Sequence, residues 1–212
     1  MTISLFTRGV EPGTHRFAPA PNSDAPQLNV PNTITLVRTV LAVALAAAGL
    51  AHGNAWLVVA SYACYWAGDV LDGLSARLLH QETRFGAVFD IVADRACFAL
   101  AAAGLLVLRP GSLLPCTILL LQFLTLDTML SLSFLRWPIL SPNYFGQVHN
   151  GVYRWNWWPP AKVLNTTSLV VAVLATDLPW IAAALALVIT AIKVVSLVVV
   201  SRLPAAELPG RP

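Results

Sequence analysis

The sequence predicts an all-α integral membrane protein with six transmembrane helices and an active site facing the cytoplasm. Three observations predict it. Hydrophobic residues make up 57% of the 212 and charged residues only 11%, with a mean hydropathy of +0.70, well above soluble norms. Apolar runs of membrane-crossing length recur along the chain, separated by short breaks rich in Pro, Gly and Asn. The scarce acids are also concentrated: Asp69, Asp72, Asp90 and Asp94, with Glu82 between them, fall within 26 residues, and basic residues are collected on one side of the spans.

Residues 1–30 read as a cytoplasmic tail, with four prolines and one short apolar cluster at Ile3–Phe6 that suits the membrane interface. They lack the apolar core of a signal peptide, so insertion is expected to use the first span. That span, about 33–52, opens at Pro31-Asn32-Thr33, with Pro in the first turn and Asn or Thr able to cap. His52-Gly53-Asn54 turns the chain into span two, about 55–79. Span three, about 84–108, ends at Arg109-Pro110-Gly111. Span four covers about 112–135. Residues 136–159 read as a polar and aromatic loop whose Trp137, Trp155, Trp157 and Trp158 suit the headgroup level. Span five, about 161–177, turns at Asp177-Leu178-Pro179 into span six, about 180–203. Residues 204–212 form a loose tail, so one domain is expected over 31–203.

Charge orients the spans. With the N-terminus inside, Arg8, Arg16, Arg77, Arg84, Arg136, Arg154, Lys162, Arg202 and Arg211 lie on the inner side and Arg109 alone outside, as the positive-inside rule requires. This brings the aspartates, the start of span one and the loop before span five to one membrane face. No lysine-rich run points to nucleic acid. Cys64, Cys97 and Cys116 lack metal or redox spacing and read as small hydrophobes. His80 and His149 read as loop residues.

Asp69 and Asp72 are three apart and Asp90 and Asp94 four apart, so each pair shares a helix face with about 4.5–6 Å of axial rise between its members. Gly73, Ala76 and Gly86 continue these faces with small residues that let helices approach. Four unpaired aspartates at mid-membrane would cost about 10 kcal/mol or more. Arg77, Arg84 and Arg95 are too few to neutralise them. Hard carboxylate oxygens suit Mg²⁺, Mn²⁺ or Ca²⁺, and two such ions can clamp a diphosphate.

The run Asp69-x2-Asp72-Gly73-x2-Ala76-Arg77-x8-Gly86-x3-Asp90-x3-Asp94 resembles the signature of the CDP-alcohol phosphotransferases at every fixed position. Pro31-Asn32-x-Ile34-Thr35-x2-Arg38 resembles the segment that borders the nucleotide pocket in the same family. The resemblance implies six spans, a homodimer, two divalent ions (Mg²⁺ or Mn²⁺), and transfer of a substituted phosphate from a CDP-linked lipid to an alcohol with release of CMP. It implies Asp69, Asp72 and Asp90 as metal ligands and Asp94 as general base, also touching the second metal. It further implies Arg77 on phosphate, and Asn32, Thr35, Gly73, Ala76 and Gly86 around the nucleotide.

The expected function is therefore phospholipid biosynthesis from CDP-diacylglycerol in the cytoplasmic membrane. Glycerol 3-phosphate is the first expectation for the acceptor; phosphatidylglycerol, an inositol phosphate and serine are the others. Arg136, Arg154 and Lys162 stand where they could hold an acceptor phosphate, and also where the positive-inside rule alone would put them. Asp127 and Lys193 lie at similar depth in spans four and six and are expected to pair, with Arg95 as the alternative partner of Asp127. Two other classes compete: a UbiA-like prenyltransferase, which needs two Asp-rich motifs and more helices, and a non-catalytic membrane scaffold or transporter.

Overall fold

The computed structural model describes residues 27–175 and 178–205. Most of the N-terminal tail, the turn residue Asp177 and the tail beyond 205 lie outside the described residues. So do the inner-side charges Arg8, Arg16 and Arg211.

Every regular element among the described residues is helical. Helix α1 (Val30–His52) starts three residues before its expected position because Asn29, rather than Asn32 or Thr33, is the cap, its side chain accepting from the Asn32 N–H. Pro31 then sits in the first turn, where its missing N–H costs nothing. Gly53, at φ 61°, stops the helix in the left-handed conformation that glycine adopts without strain. Helix α2 (Ala55–Leu78) is capped by Asn54 and closes through His80, at φ 53°. Helix α3 (Arg84–Leu108) is capped by Thr83, whose hydroxyl accepts from the Gly86 N–H at 2.9 Å.

Span four is the 27-residue rod Pro110–Arg136, and it is not uniform. Helix α4 (Leu113–Gln122) passes into a π-turn at Phe123–Asp127 before α5 (Thr128–Leu132) resumes. Helices α6 (Asn150–Asn156), α7 (Pro159–Ala175) and α8 (Pro179–Arg202) complete the chain.

Among the described residues, four stretches are long and apolar enough to cross a membrane: Val30–His52, Arg84–Leu108, Pro110–Arg136 and Pro179–Arg202. The other two expected spans are also helices. However, α2 carries Asp69, Asp72 and Arg77 in its second half, and α7 has 17 residues where a perpendicular crossing takes about 20. Helices α1, α2 and α3 pack on one another, with Val58 of α2 filling the space left by Gly49 of α1 and Gly104 of α3. Helix α8 packs on α4, α5 and α7, and one core joins Phe98 and Leu105 of α3 to Leu119, Phe123, Ala182 and Ala186. Outward-facing Leu113, Leu121, Leu187 and Val188 are exposed, as a hydrocarbon-facing surface requires.

The expected loop before α7 is instead a packed cap. Trp137 and Trp157 are buried against Phe145, with ring centroids 5.3 and 4.8 Å away, and only Trp155 and Trp158 are exposed as interfacial residues should be. The cap is held because Arg84 donates to the carbonyls of Leu135 (2.9 Å) and Trp137 (3.2 Å). His149 caps α6, its Nδ1 accepting from Val152 N–H at 3.1 Å. The three cysteines are free, Cys97 and Cys116 buried.

Candidate active site

Arg38 stands at the centre of the acidic cluster. This buried α1 side chain is 3% exposed. Its Nε donates to Asp72 Oδ2 (2.8 Å), and its Nη2 donates to Asp90 Oδ1 (2.5 Å) and Asp94 Oδ1 (3.0 Å), with Asp69 Oδ1 at 3.9 Å. The expectation that only Arg77, Arg84 and Arg95 are near enough to offset the aspartates is therefore corrected. Arg38 lies more than thirty residues from the cluster in sequence but faces it across the α1–α2 contact. An arginine buried in an apolar helix must find counter-charge, and that was the signal available in the sequence. Arg84 serves the cap, and Arg95 turns to span four.

The approach depends on Gly68. A Cβ there would lie 2.4 Å from Arg38 Cδ and 2.5 Å from its Cβ, so the guanidinium reaches the carboxylates across a bare Cα. The Thr35 hydroxyl, 2.7 Å from Asp72 Oδ2, gives that carboxylate a second donor. Asp72 is buried, while the side chains of Asp90 and Asp69 remain 35% and 41% exposed to the cavity they share.

Four carboxylates against one guanidinium leave three negative charges in surplus. Asp69, Asp72 and Asp90 each present a donor atom, all within 4.8 Å of one another. Convergent hard oxygens with unbalanced charge fit a divalent cation of the Mg²⁺ or Mn²⁺ type.

All four aspartates open into a cavity of about 630 Å³, which Asn32, Thr35, Gly73, Ala76, Arg77 and Gly86 also line. A Cβ on Gly73 would meet only the Arg77 guanidinium, at an ordinary 3.6 Å. Gly86 is tighter: a Cβ would stand 2.7 Å from Asn32 Oδ1, so this glycine sets how closely α1 and α3 approach. Of the three basic residues considered for an acceptor, Lys162 lines the cavity. Arg136 instead donates to the carbonyls of Val200 and Leu203 at the end of α8, both at 2.9 Å, and Arg154 lies over the Trp158 ring at 6.0 Å.

Farther along the same cavity is a second polar group that the aspartate pattern does not include. Asp127, placed by the π-turn, accepts from Lys193 Nζ at 2.5 Å and from Arg95 Nη2 at 2.6 Å. Both expected partners hold it at once, one on each oxygen. Gln122 and Asn156, both buried, line this end. At the mouth, the Tyr144 hydroxyl donates to Glu82 Oε2 at 2.7 Å, tying the cap to the α2–α3 turn. Burial and the Glu82 charge push that phenol up to about 12.

A family model described as CDP-alcohol phosphatidyltransferase matches residues 28–199. A curated relative from Cereibacter sphaeroides, named CDP-diacylglycerol--glycerol-3-phosphate 3-phosphatidyltransferase, is 30% identical over 100 residues, which cover 44% of this chain and 45% of that protein. The chain thus spans less than half the length of the curated relative it matches. No solved structure matches.

Proposed function

The chain belongs to the CDP-alcohol phosphatidyltransferase family, and from that premise we propose that it transfers the phosphatidyl group of CDP-diacylglycerol to an alcohol and releases CMP. The observation that carries this reading is the convergence of Asp69, Asp72, Asp90 and Asp94, from two helices, on one cavity around a single buried arginine. Asp69, Asp72 and Asp90 would hold divalent metal, with Asp94 contributing to a second ion. Such metal, when bound, neutralises the diphosphate and the charge developing on the leaving CMP.

The residues of the chain supply the rest. Arg77, at the exposed end of α2, binds a diphosphate oxygen as a permanent cation. Asn32, Thr35, Gly73, Ala76 and Gly86 form the nucleotide side of the cavity. The acceptor oxygen bonds to the phosphatidyl phosphorus, the bond from that phosphorus to the bridging oxygen breaks, and CMP leaves with that oxygen. The acceptor's proton passes to the Asp94 carboxylate, whose Oδ2 takes no part in the contact with Arg38. A positioned base of this kind contributes about 10²–10⁴-fold.

Glycerol 3-phosphate is the first acceptor to test, because the relative's name contains it and because Lys162 in the cavity can meet its phosphate. Phosphatidylglycerol, inositol phosphate and serine are the other candidates. The protein works as a homodimer with six spans, α2 and α7 included, and with the cavity open to the cytoplasm. The inward bias of Arg77, Arg84, Arg136, Arg154, Lys162 and Arg202 supports that orientation.

The test is purified protein with CDP-diacylglycerol, Mg²⁺ or Mn²⁺ and one alcohol at a time, with products identified by mass. Release of CMP with a new phosphatidyl ester is the expected result. Release of inorganic diphosphate, or no metal-dependent turnover with any alcohol, overturns the reading.

A further inference from the structure

The end of the cavity away from the aspartates has a definite chemical character. Asn156 is 3% exposed, and its Nδ2 donates to both Val152 O (2.9 Å) and Ser196 Oγ (2.8 Å). Those two bonds fix the amide orientation and leave Oδ1 buried without a partner. Gln122, also 3% exposed, has its Oε1 buried and unpartnered as well.

Both amides line the one cavity that also holds the Asp127 group. Ser196, bonded to Asn156, is one turn along α8 from Lys193, which holds Asp127. Gln122 and Asp127 are five apart across the π-turn, whose wider period brings such positions onto one face. Gln122, Asp127, Asn156 and Lys193 all line the one cavity. Buried amide carbonyls without donors are uncommon and need a reason.

Resting on the transfer proposed above, we infer that this end of the cavity is the acceptor subsite, and that Asn156 Oδ1 and Gln122 Oε1 accept hydrogen bonds from hydroxyls of a polyol acceptor. That acceptor is an alcohol carrying at least one hydroxyl beside the one that reacts. The unmet groups are hydrogen-bond acceptors, so the ligand must bring donors. An ammonium donor is disfavoured, because Lys193 and Arg95 against one Asp127 leave the neighbourhood with a net positive charge. Serine is thereby ranked below glycerol-type and inositol-type acceptors.

The experiment uses full-length protein in lipid nanodiscs with CDP-diacylglycerol and Mg²⁺, reading CMP release. Glycerol 3-phosphate, phosphatidylglycerol, inositol phosphate and serine are compared. The best acceptor is then compared with its analogue lacking the hydroxyl next to the reacting one. Wild type should favour the parent over the deoxy analogue by about tenfold in KM, the size of one lost buried hydrogen bond. Of Gln122→Met, which conserves size, and Asn156→Leu, each that removes a carbonyl met by an acceptor hydroxyl should raise the parent's KM about tenfold, so one of the two does so for an acceptor with a single spare hydroxyl. Both should leave KM for CDP-diacylglycerol unchanged, and the one that removes this hydroxyl's partner should largely erase discrimination against the analogue. Serine as the best acceptor, or full discrimination retained by both variants, overturns the subsite while leaving the transferase reading intact. No CMP release from any acceptor overturns the transferase reading, and the subsite with it.

Discussion

Arg38 of α1 reaches Asp72, Asp90 and Asp94 only because Gly68 of α2 has no side chain: a Cβ at that position would stand 2.4 Å from Arg38 Cδ. The clash would extend to the Arg38 Cβ, so rotating the guanidinium cannot relieve it. Gly68→Ala must push α1 and α2 apart. The expected cost is about 1–3 kcal/mol, the range for overpacking, together with loss of turnover. Thermal unfolding in detergent beside a CMP-release assay checks both, and a variant as stable and active as wild type removes the steric argument.

Removing the guanidinium itself should be worse. Arg38→Met leaves clustered carboxylates without their internal cation, a change expected to cost about 3–5 kcal/mol. Divalent metal, as a replacement counter-charge, should raise the unfolding temperature of this variant more than that of wild type. Arg38→Lys should recover only part of the loss, since an ammonium cannot present Nε and Nη2 in a fixed fork. Equal metal-induced shifts in wild type and Arg38→Met would contradict the proposed balance of charge.

Chelation should abolish turnover, and Mg²⁺ or Mn²⁺ should restore it. Asp72→Asn and Asp90→Asn should raise the metal concentration needed for half-maximal rate. Asp94→Asn should lower kcat by about 10²–10⁴ while the ion held by Asp69, Asp72 and Asp90 still binds. Titrations of Mn²⁺ binding alongside initial rates separate the two behaviours.

Asp127 holds two cations, so its neighbours are not equivalent. Asp127→Leu strands both Lys193 and Arg95 and should cost about 3–5 kcal/mol. Lys193→Leu should be milder, because Arg95 still satisfies Asp127. The double variant should regain part of the loss of Asp127→Leu, because Lys193 is no longer stranded, but not all of it, since Arg95 still lacks its carboxylate. Unfolding temperatures of the three proteins give the ranking directly.

The Tyr144–Glu82 tie supplies a pH test. The Tyr144 phenol is raised from 10.0 to about 12 by burial and by Glu82. The fold therefore favours its protonated form. The tie's contribution should be complete below about pH 10 and lost as pH rises through about 12. In an absorbance titration wild type should show one more late-ionising tyrosine than Tyr144→Phe does.

Much of this was legible in the residues. The spacing of the aspartates, and the turns at Gly53, His80 and Arg109, placed three helices to within a few positions of their observed ends, because caps and helix periodicity are local. Arg38 was not recognised as the partner of the cluster, because that pairing spans 34 to 56 residues and depends on a glycine in another helix. In sequence the cap around Phe145 reads as a polar loop, because its tryptophans have the composition of an interfacial belt. Only packing distinguishes Trp137 and Trp157, which are buried, from Trp155 and Trp158. Gln122 and Asn156 look unexceptional in sequence, since an unmet carbonyl is visible only once its surroundings are known.

The wide turn at Phe123–Asp127 takes in one residue more than an α-helix would. Its two flanking segments are thus out of phase by about 100°, one residue's rotation. On an unbroken α-helix the same five-residue spacing would put Gln122 and Asp127 about 140° apart, and one of them would face the acyl chains. That one-residue insertion is what allows a greasy rod to keep its outer coat continuous while presenting two polar groups inward.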